Sequence, residues 1–499
     1  MTHRIVVVGH GMVAHRFVAE LAAHQLPGLA VTVLGDEPQA AYNRILLPDV
    51  LSGRLDLTGL TLPEVRGTRV HAGVRATAID RVRRVVTDAT GIDHPFDTLV
   101  LATGAAPVFP TIEGLKDPQG HPMPDVTALR TWADAQHIRA AAEDGASVVV
   151  LGGGLLGIEA AVALRRAGSR VTVIHRGVAP LDRQFDPLSG RIVAASLADH
   201  GVAVLTDCRV AGVERRWNHS LTSLRLTDDR RIEADLVVVA IGVEPRIALA
   251  VGAELAVRRG LLVDAECRTD DPDIHAIGDC AQTGRGCQGL VGPGWEQARV
   301  LAHHLAERIG GRRRPRPTLG FDGGVVRLKA DGIEAVSMGE FPVDEFALRA
   351  PRVLGLVDAA GRRRVRIAVA DGVLVGATCV GDPQAAADLT VAFDARTPVP
   401  DDPAALLARP LAGAAPAASV LELPDEAVVC RCNAVSKGTI AAAVGEGAST
   451  HQAVAEATRA STGCGSCTGD VCRLIETLIA ARVEENPPGE LPDEGAAVA

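Results

Sequence analysis

Ile5-Val6-Val7-Val8-Gly9-His10-Gly11-Met12-Val13-Ala14 opens the chain, a β-branched run broken by two glycines and followed by a helical pattern through Ala22. This order predicts strand, tight turn and helix. Gly9 supplies the backbone angles of the turn, Gly11 lets the chain approach a pyrophosphate, and Ala14 in the third small position lets helix and strand pack. A phosphate would then sit on the helix N-terminus. The next strand, residues 30–34, ends at Asp36 and Glu37, where a carboxylate would accept hydrogen bonds from an adenosine ribose. One such motif is weak evidence, because turn chemistry alone can produce it. The chain says the same thing twice, however: Ser147–Leu151 reads as a second buried strand, and Gly152-Gly153-Gly154-Leu155-Leu156-Gly157 opens a second helix through Arg166. Gly152, Gly154 and Gly157 take the three small positions. The strand after that helix ends in His175-Arg176, a basic residue where the first copy carries acids. Arg176 suits a 2′-phosphate and tilts the cofactor toward NADPH, with NADH and a merely solvated arginine as the alternatives.

Each copy is closed by a further apolar strand and a glycine: Thr98-Leu99-Val100-Leu101-Ala102-Thr103-Gly104 after the first, and Leu236–Val239 with Ala240-Ile241-Gly242 after the second. A later strand, Ile274-His275-Ala276-Ile277-Gly278-Asp279, ends in a carboxylate that could hold a ribityl hydroxyl. On these motifs, residues 1 to about 310 resemble the two-dinucleotide flavoprotein reductases, which bind FAD in the first fold and NAD(P)H in the second. The resemblance assigns Thr103, Gly104 and Asp279 to the FAD site. It makes Gly292-Pro293-Gly294-Trp295-Glu296-Gln297-Ala298 the start of a helix under the flavin pyrimidine, whose dipole would stabilise an anionic reduced flavin. It also places Glu159, two residues after Gly157, near the nicotinamide, a solvated helix glutamate being the alternative. The cofactors carry the chemistry, so no residue is named as catalytic.

Disulfide reductases of this kind need a dithiol beside the flavin, yet the first cysteine here is Cys208, and the corresponding stretch reads Tyr42-Asn43-Arg44-Ile45-Leu46-Leu47. Electrons must leave the flavin by another route. Cys208, Cys267, Cys280, Cys287 and Cys379 are scattered and read as small hydrophobes. Four further cysteines form two close pairs, Cys430-Arg431-Cys432 and Cys464-Gly465-Ser466-Cys467, a tetrathiolate set that suits zinc or iron–sulfur. A C-x-C pair fits a zinc knuckle poorly. Helical patterns at 437–444 and 450–460 fill the thirty-one residues between the pairs. Over residues 428–480 the arrangement resembles the bacterioferritin-associated-ferredoxin type of [2Fe–2S] domain, which implies a [2Fe–2S] cluster on Cys430, Cys432, Cys464 and Cys467. Cys472 reads as buried packing on the next helix.

Hydrophobic residues at 47% and charged residues at 22% predict several globular cores in a chain of 499 residues. The formal charge of −10 argues against nucleic acid as a partner, and the arginine run at 312–316 reads as a solvated, Pro-broken crossing between domains. No signal-peptide core or membrane-length apolar run is visible, so a cytoplasmic protein with no membrane partner is expected, its cysteines free of structural disulfides.

The fold class that follows is α/β: two Rossmann-like dinucleotide-binding folds, a small α/β domain and a small helical [2Fe–2S] domain. Its boundaries are 1–112 and 243–318 for the FAD fold, 113–242 for the NAD(P)H fold and 319–397 for the small domain. A linker at 398–424, the cluster domain at 425–483 and a disordered tail at 484–499 complete the chain. This order resembles the front part of the NAD(P)H nitrite reductase large subunits. The sequence stops before a sirohaem part, so nitrite reduction is not expected. The resemblance implies hydride transfer from NADPH or NADH to FAD, then single electrons through the cluster to the molybdenum-containing catalytic subunit of an assimilatory nitrate reductase. The alternatives are a general NAD(P)H:ferredoxin or rubredoxin reductase and an iron–sulfur redox sensor.

Overall fold

The computed structural model describes residues 2–142, 145–217, 219–311, 324–345, 347, 349–407, 420–430, 435–462 and 467–485. The chain divides into two compact units, Met1–Arg409 and Pro410–Ala499.

In the first unit, the opening phrase becomes the strand His3–Val8 and the helix Met12–Ala22. The strand is the middle of a five-stranded parallel sheet in the order Ile274–Ala276, Thr98–Leu101, His3–Val8, Leu29–Gly35, Thr68–Ala72. A parallel sheet must be covered on both faces, and the two-residue alternation of the strands divides their side chains accordingly. Ile5, Val7 and Val33 pack with Phe17 and Leu21 of the first helix and Leu301 and Leu305 of the helix Val291–Gly310. Val6, Val8 and Leu99 point the other way, onto Ile79, Val86 and Phe96 of an antiparallel three-stranded sheet.

The second fold repeats this plan. Its parallel order is Val202–Leu205, Arg170–Ile174, Ser147–Leu151, Leu236–Val239, Val126–Ala128. Val148 and Val150 pack with Ile158 and Val162 of the helix Leu155–Arg166, while Val149 and Leu151 face Leu224 and Leu226 of a second antiparallel sheet. The chain leaves the first fold along Ala105–Pro107 and returns along Val243–Pro245, and these two crossings pair antiparallel. The second fold is therefore inserted into the first.

The small domain is an antiparallel sheet of Val326–Arg327, Ala335–Gly339, Val373–Val380, Arg363–Ala370 and Arg352–Asp358, covered by the helix Pro383–Asp394. Asp382 caps that helix by accepting from Ala385 N at 2.9 Å, and Pro383 suits its first turn. Leu328, Ala330 and Ile333 leave the sheet edge and enter the core of the second fold.

The stretch 398–424, expected as a linker, is folded at both ends. Val399, Leu406 and Leu407 pack on the small domain, and Val420 and Leu423 belong to the core of the second unit. Asp402 bonds Ala404 N at 3.1 Å, starting the short 3-10 turn that delivers those leucines inward. Residues 408–419 lie outside the described residues, as does the arginine run at 312–316. The expected tail also starts too early, because the last helix runs from Thr468 through Glu485; 486–499 lie outside the described residues.

The second unit contains the helices Lys437–Gly445, His451–Thr458 and Thr468–Glu485 and the strand pair Val428–Cys430 with Val435–Ser436. Ile440, Val444, Val454, Val471 and Leu474 form its core together with Cys430 and Cys467. Among the described residues no helix is long and apolar enough to cross a membrane.

His275 sits in the first sheet, wholly buried, with both ring nitrogens lacking a hydrogen-bond partner. Burial, followed by the charge of His304 and Arg308, lowers its pKa from 6.5 to about 3. The unfolded chain takes up this proton first, so folding stability falls as pH drops from 6.5 toward 3, by roughly 1.4 kcal/mol per pH unit from this group. Urea unfolding at pH 7 and pH 5 measures the slope, and His275→Leu is expected to reduce it by one proton.

Candidate functional site

Gly9 has φ +112°, and a Cβ there would lie 2.1 Å from the Ala102 carbonyl oxygen. Gly152 repeats the arrangement, with φ +118° and 2.4 Å to the Ala240 oxygen. Each glycine turn is thus pressed against the residue that follows a closing strand. Gly11 and Gly154 cap the two helices in extended conformation, and neither cap offers a side-chain hydrogen bond to the first turn. A Cβ on Gly11 would meet only Arg44 Nε at 4.0 Å, and one on Gly154 nothing within 4 Å. Two helix N-termini therefore face open space with free backbone N–H groups, an arrangement that takes a pyrophosphate. A Cβ on Gly157 would strike the Gly152 oxygen at 2.0 Å, whereas Ala14 fits the same place in the first fold, fully buried.

At the end of the second strand the two acids part. Asp36 is exposed, while Glu37 accepts from the Tyr42 hydroxyl at 2.6 Å and pairs with Arg44. The Arg44 guanidinium stacks 4.9 Å over the Tyr42 ring and donates to the Arg130 carbonyl at 3.3 Å. The Arg130 guanidinium in turn reaches Asp279 at 2.6 Å. Three segments distant in sequence thus put two arginines, each paired with a carboxylate, beside the first glycine turn and Asp279.

Gln297, buried in the helix Val291–Gly310, accepts from Gly278 N at 2.7 Å and fixes the turn that carries Asp279. Thr103 donates to the Arg246 carbonyl at 2.7 Å, and Gly104 O accepts from Arg246 N at 2.9 Å, tying this corner to the returning crossing. Gly278, Asp279, Gly289, Leu290, Pro293 and Gly294 line a shallow, solvent-open depression at the N-terminus of that helix. Tyr42, Arg44, Arg130 and Gln297 were not singled out in the sequence. Arg44 in an otherwise apolar run and Gln297 in an apolar helix stripe were the signals.

In the second fold, His175 lies under the glycine turn, its Nδ1 accepting from Gly153 N at 3.2 Å and its Nε2 3.3 Å from Asp182. Arg176 beside it is exposed and engages no carboxylate among the described residues. Glu159 is not a solvated helix glutamate: it is 8% exposed and accepts from Lys329 N of the small domain at 2.9 Å. Burial pushes its carboxyl up to about 7, with Lys329 opposing and Asp49 reinforcing the shift.

Of the four paired cysteines, Cys430 and Cys467 are both buried in one core, and Cys430 Sγ accepts from Ser461 N at 3.4 Å. Such N–H donation suits a thiolate that ligates a cluster. Cys432 and Cys464 lie outside the described residues. Cys472, expected to be buried, is half-buried on the last helix. Burial pushes the Cys267 and Cys379 thiols up to about 12, which keeps them inert.

The family model for pyridine nucleotide-disulphide oxidoreductases matches residues 3–304. The chain belongs to that family. A model for the BFD-like [2Fe-2S] binding domain matches residues 428–477 of this oxidoreductase. Its cofactors are FAD, NAD(P)H and a [2Fe–2S] cluster, and it is an NAD(P)H-dependent flavoprotein oxidoreductase. Among curated relatives, NAD(P)H nitrite reductase of Bacillus subtilis is 32% identical over 476 residues, covering 93% of this chain and 56% of its own length. The assimilatory nitrate reductase electron transfer subunit of the same organism is 29% identical over 485 residues, covering 95% of this chain and 59% of its own. The oxidoreductase thus spans little more than half the length of these relatives. The covalent complex of putidaredoxin reductase with putidaredoxin shares its fold, with a TM-score of 0.69 at 24% identity over 81% of this chain and 95% of the other. A ferredoxin reductase from Rhodopseudomonas palustris does so with a TM-score of 0.66 at 24% identity over 79% and 99%.

Two outcomes are expected of this oxidoreductase. Gly9→Ala, whose methyl would overlap the Ala102 carbonyl, is expected to purify largely without flavin, which the absorbance ratio near 450 nm to 280 nm reads (roughly, for a bound flavin). Glu159 is held above its ordinary pKa of 4.5, so its ionisation costs stability as pH rises from 4.5 through 7. Glu159→Gln, which keeps the acceptor for Lys329 N, is therefore expected to melt above the parent at alkaline pH, with the gap closing toward pH 4.5.

Proposed function

We propose that this chain is an electron-transfer subunit that oxidises NAD(P)H and delivers single electrons to a partner reductase, with an assimilatory nitrate reductase as the acceptor. One observation carries the reading: the flavin fold has no cysteine before Cys208, while Cys430 and Cys467 are buried together in a separate unit. When bound, FAD takes a hydride and releases electrons singly, which a [2Fe–2S] cluster accepts.

The chain's own residues then have distinct tasks. Gly9, Gly11 and Ala14 form the pyrophosphate cradle, Asp36 and Glu37 stand at the adenosine ribose, and Thr103, Gly104 and Asp279 hold the flavin end. Gly152, Gly154 and Gly157 form the second cradle, Arg176 faces the adenosine phosphate and Glu159 the nicotinamide. Cys430, Cys432, Cys464 and Cys467 ligate the cluster. Supporting the acceptor is a relative described as the electron transfer subunit of assimilatory nitrate reductase, similar over 95% of this chain. A molybdenum-containing catalytic subunit and a cytoplasmic setting complete the proposal. The rival reading, a reductase serving rubredoxin-like carriers, draws support from rubredoxin-NAD(+) reductase of Pseudomonas putida, which is 31% identical over 283 residues. That similarity covers only 56% of this chain.

Anaerobic mixing with NADPH and with NADH, followed by flavin absorbance and low-temperature electron paramagnetic resonance, tests the assignment. Bleaching together with a reduced [2Fe–2S] signal is expected. Bleaching without such a signal, even after dithionite, would overturn the cluster ligation. Arg176→Ala is expected to raise KM for NADPH about tenfold and leave NADH unchanged, the effect of one charge-assisted hydrogen bond. Equal effects on both would remove Arg176 from the phosphate site. Co-purification with a molybdenum-containing subunit supports the nitrate assignment, and faster turnover with rubredoxin than with that subunit favours the rival.

A further inference from the structure

The second unit contains a polar chain that its helical packing does not require. Ser461 donates its backbone N–H to Cys430 Sγ at 3.4 Å. It does so at φ +58°, a left-handed conformation that strains a serine and that glycine would adopt freely. Ser461 Oγ donates to the Ala460 carbonyl at 2.7 Å and lies 2.6 Å from His451 Nε2. With the hydroxyl proton committed to Ala460, its lone pair faces the ring, so the neutral imidazole carries hydrogen on Nε2 and presents Nδ1 for a second proton.

His451 is the first residue of the helix His451–Thr458, immediately after its cap Thr450, and is half-buried. Burial is the one influence that moves its pKa, downward. Among the described residues the ring forms no ion pair, and its polar contact is the Ser461 hydroxyl. In the neighbouring segments Arg431, Cys432 and Cys464 lie outside the described residues. A ring free of an acidic partner responds to whatever charge lies behind Ser461, and that charge is the sulfur of Cys430.

We infer that His451 is a redox-linked proton acceptor for the [2Fe–2S] centre, acting through Ser461 on Cys430; this rests on the reading of Cys430 as a cluster ligand. Reduction adds one electron to the cluster, and one proton from water binds His451 Nδ1, so the unit gains no net charge. Reoxidation returns the electron to the partner and the proton to water. His451 is a positioning residue in this scheme, because it touches the cluster only through Ser461. The consequence is that the driving force for electron delivery depends on pH.

Redox titrations of the full-length holoenzyme, followed by the cluster's electron paramagnetic resonance signal, read the midpoint potential directly. In the parent, the potential is expected to fall with rising pH between the imidazole pKa of the oxidised and of the reduced protein, and to be level outside that window. His451→Gln is expected to be level throughout. Ser461→Ala keeps the N–H donor but removes the hydroxyl bridge, and is expected to lose at least half of the pH dependence. A parent potential independent of pH, or a His451→Gln potential that follows the parent's, overturns the inference. Cys430→Ser keeps the two readings apart. If it leaves the cluster signal unchanged, the ligand assignment fails and the inference with it. If it alters the signal while the parent potential is level, only the proton coupling fails.

Discussion

A carbonyl oxygen stands where the side chain of residue 9 would begin. The Ala102 oxygen, at the end of a closing strand, and the Gly9 backbone approach so closely that no Cβ fits between them, and Ala240 and Gly152 repeat the contact in the second fold. This backbone-to-backbone approach sets the height at which each first helix starts relative to its sheet. It thereby brings the free N–H groups of that helix level with the residues that end the neighbouring strands. Thr103 and Gly104 follow Ala102 directly, and Asp279 follows the strand next to it in the sheet. A substitution at either glycine would lift the helix off the sheet and displace the polar residues around it together.

The polar residues around the first cradle illustrate what such a platform permits. Arg44 and Arg130 come from segments far apart in sequence and are each about three-quarters buried, held by Glu37 and Asp279. A cation this shielded from water costs stability unless anions satisfy it. The same constraint appears in the second fold, where Glu159 is buried against a backbone N–H of a different domain and burial raises its carboxyl above the usual range. The third domain is therefore joined to the helix of the second fold through Glu159 and does not merely decorate the chain's end.

The repeated strand-turn-helix phrase was legible because its reasons are local: β-branched runs make buried strands, and glycine alone fits the turn. The α/β class and both cradles followed from it. The [2Fe–2S] domain was legible from the paired cysteines and their spacing through the family they resemble, since the four thiols alone suit zinc as well. Other features depended on tertiary context. Glu159 reads either as an acid near the nicotinamide or as a solvated helix residue, and only Lys329, far away in sequence, shows it to be covered. The stretch 398–424 reads as a linker because alanine and proline dominate it, but Asp402 starts a turn that buries Leu407 and packs Leu406 against the same core. The role of Gln297 needed the neighbouring position of Gly278, which only the packing of helix on sheet reveals.

The paired crossings Ala105–Pro107 and Val243–Pro245 have a consequence in time. The outer strand Ile274–Ala276 of the first sheet pairs with Thr98–Leu101, and the whole second fold lies between them in the chain. A chain that grows from its N-terminus makes the second fold before it has made the strand that ends the first. The inserted fold has all the strands of its own sheet by Val239, whereas the first sheet waits for residues 274–276. During synthesis the strands of the inserted fold's sheet are therefore all made before those of the first fold's sheet, the reverse of the order in which the two folds begin.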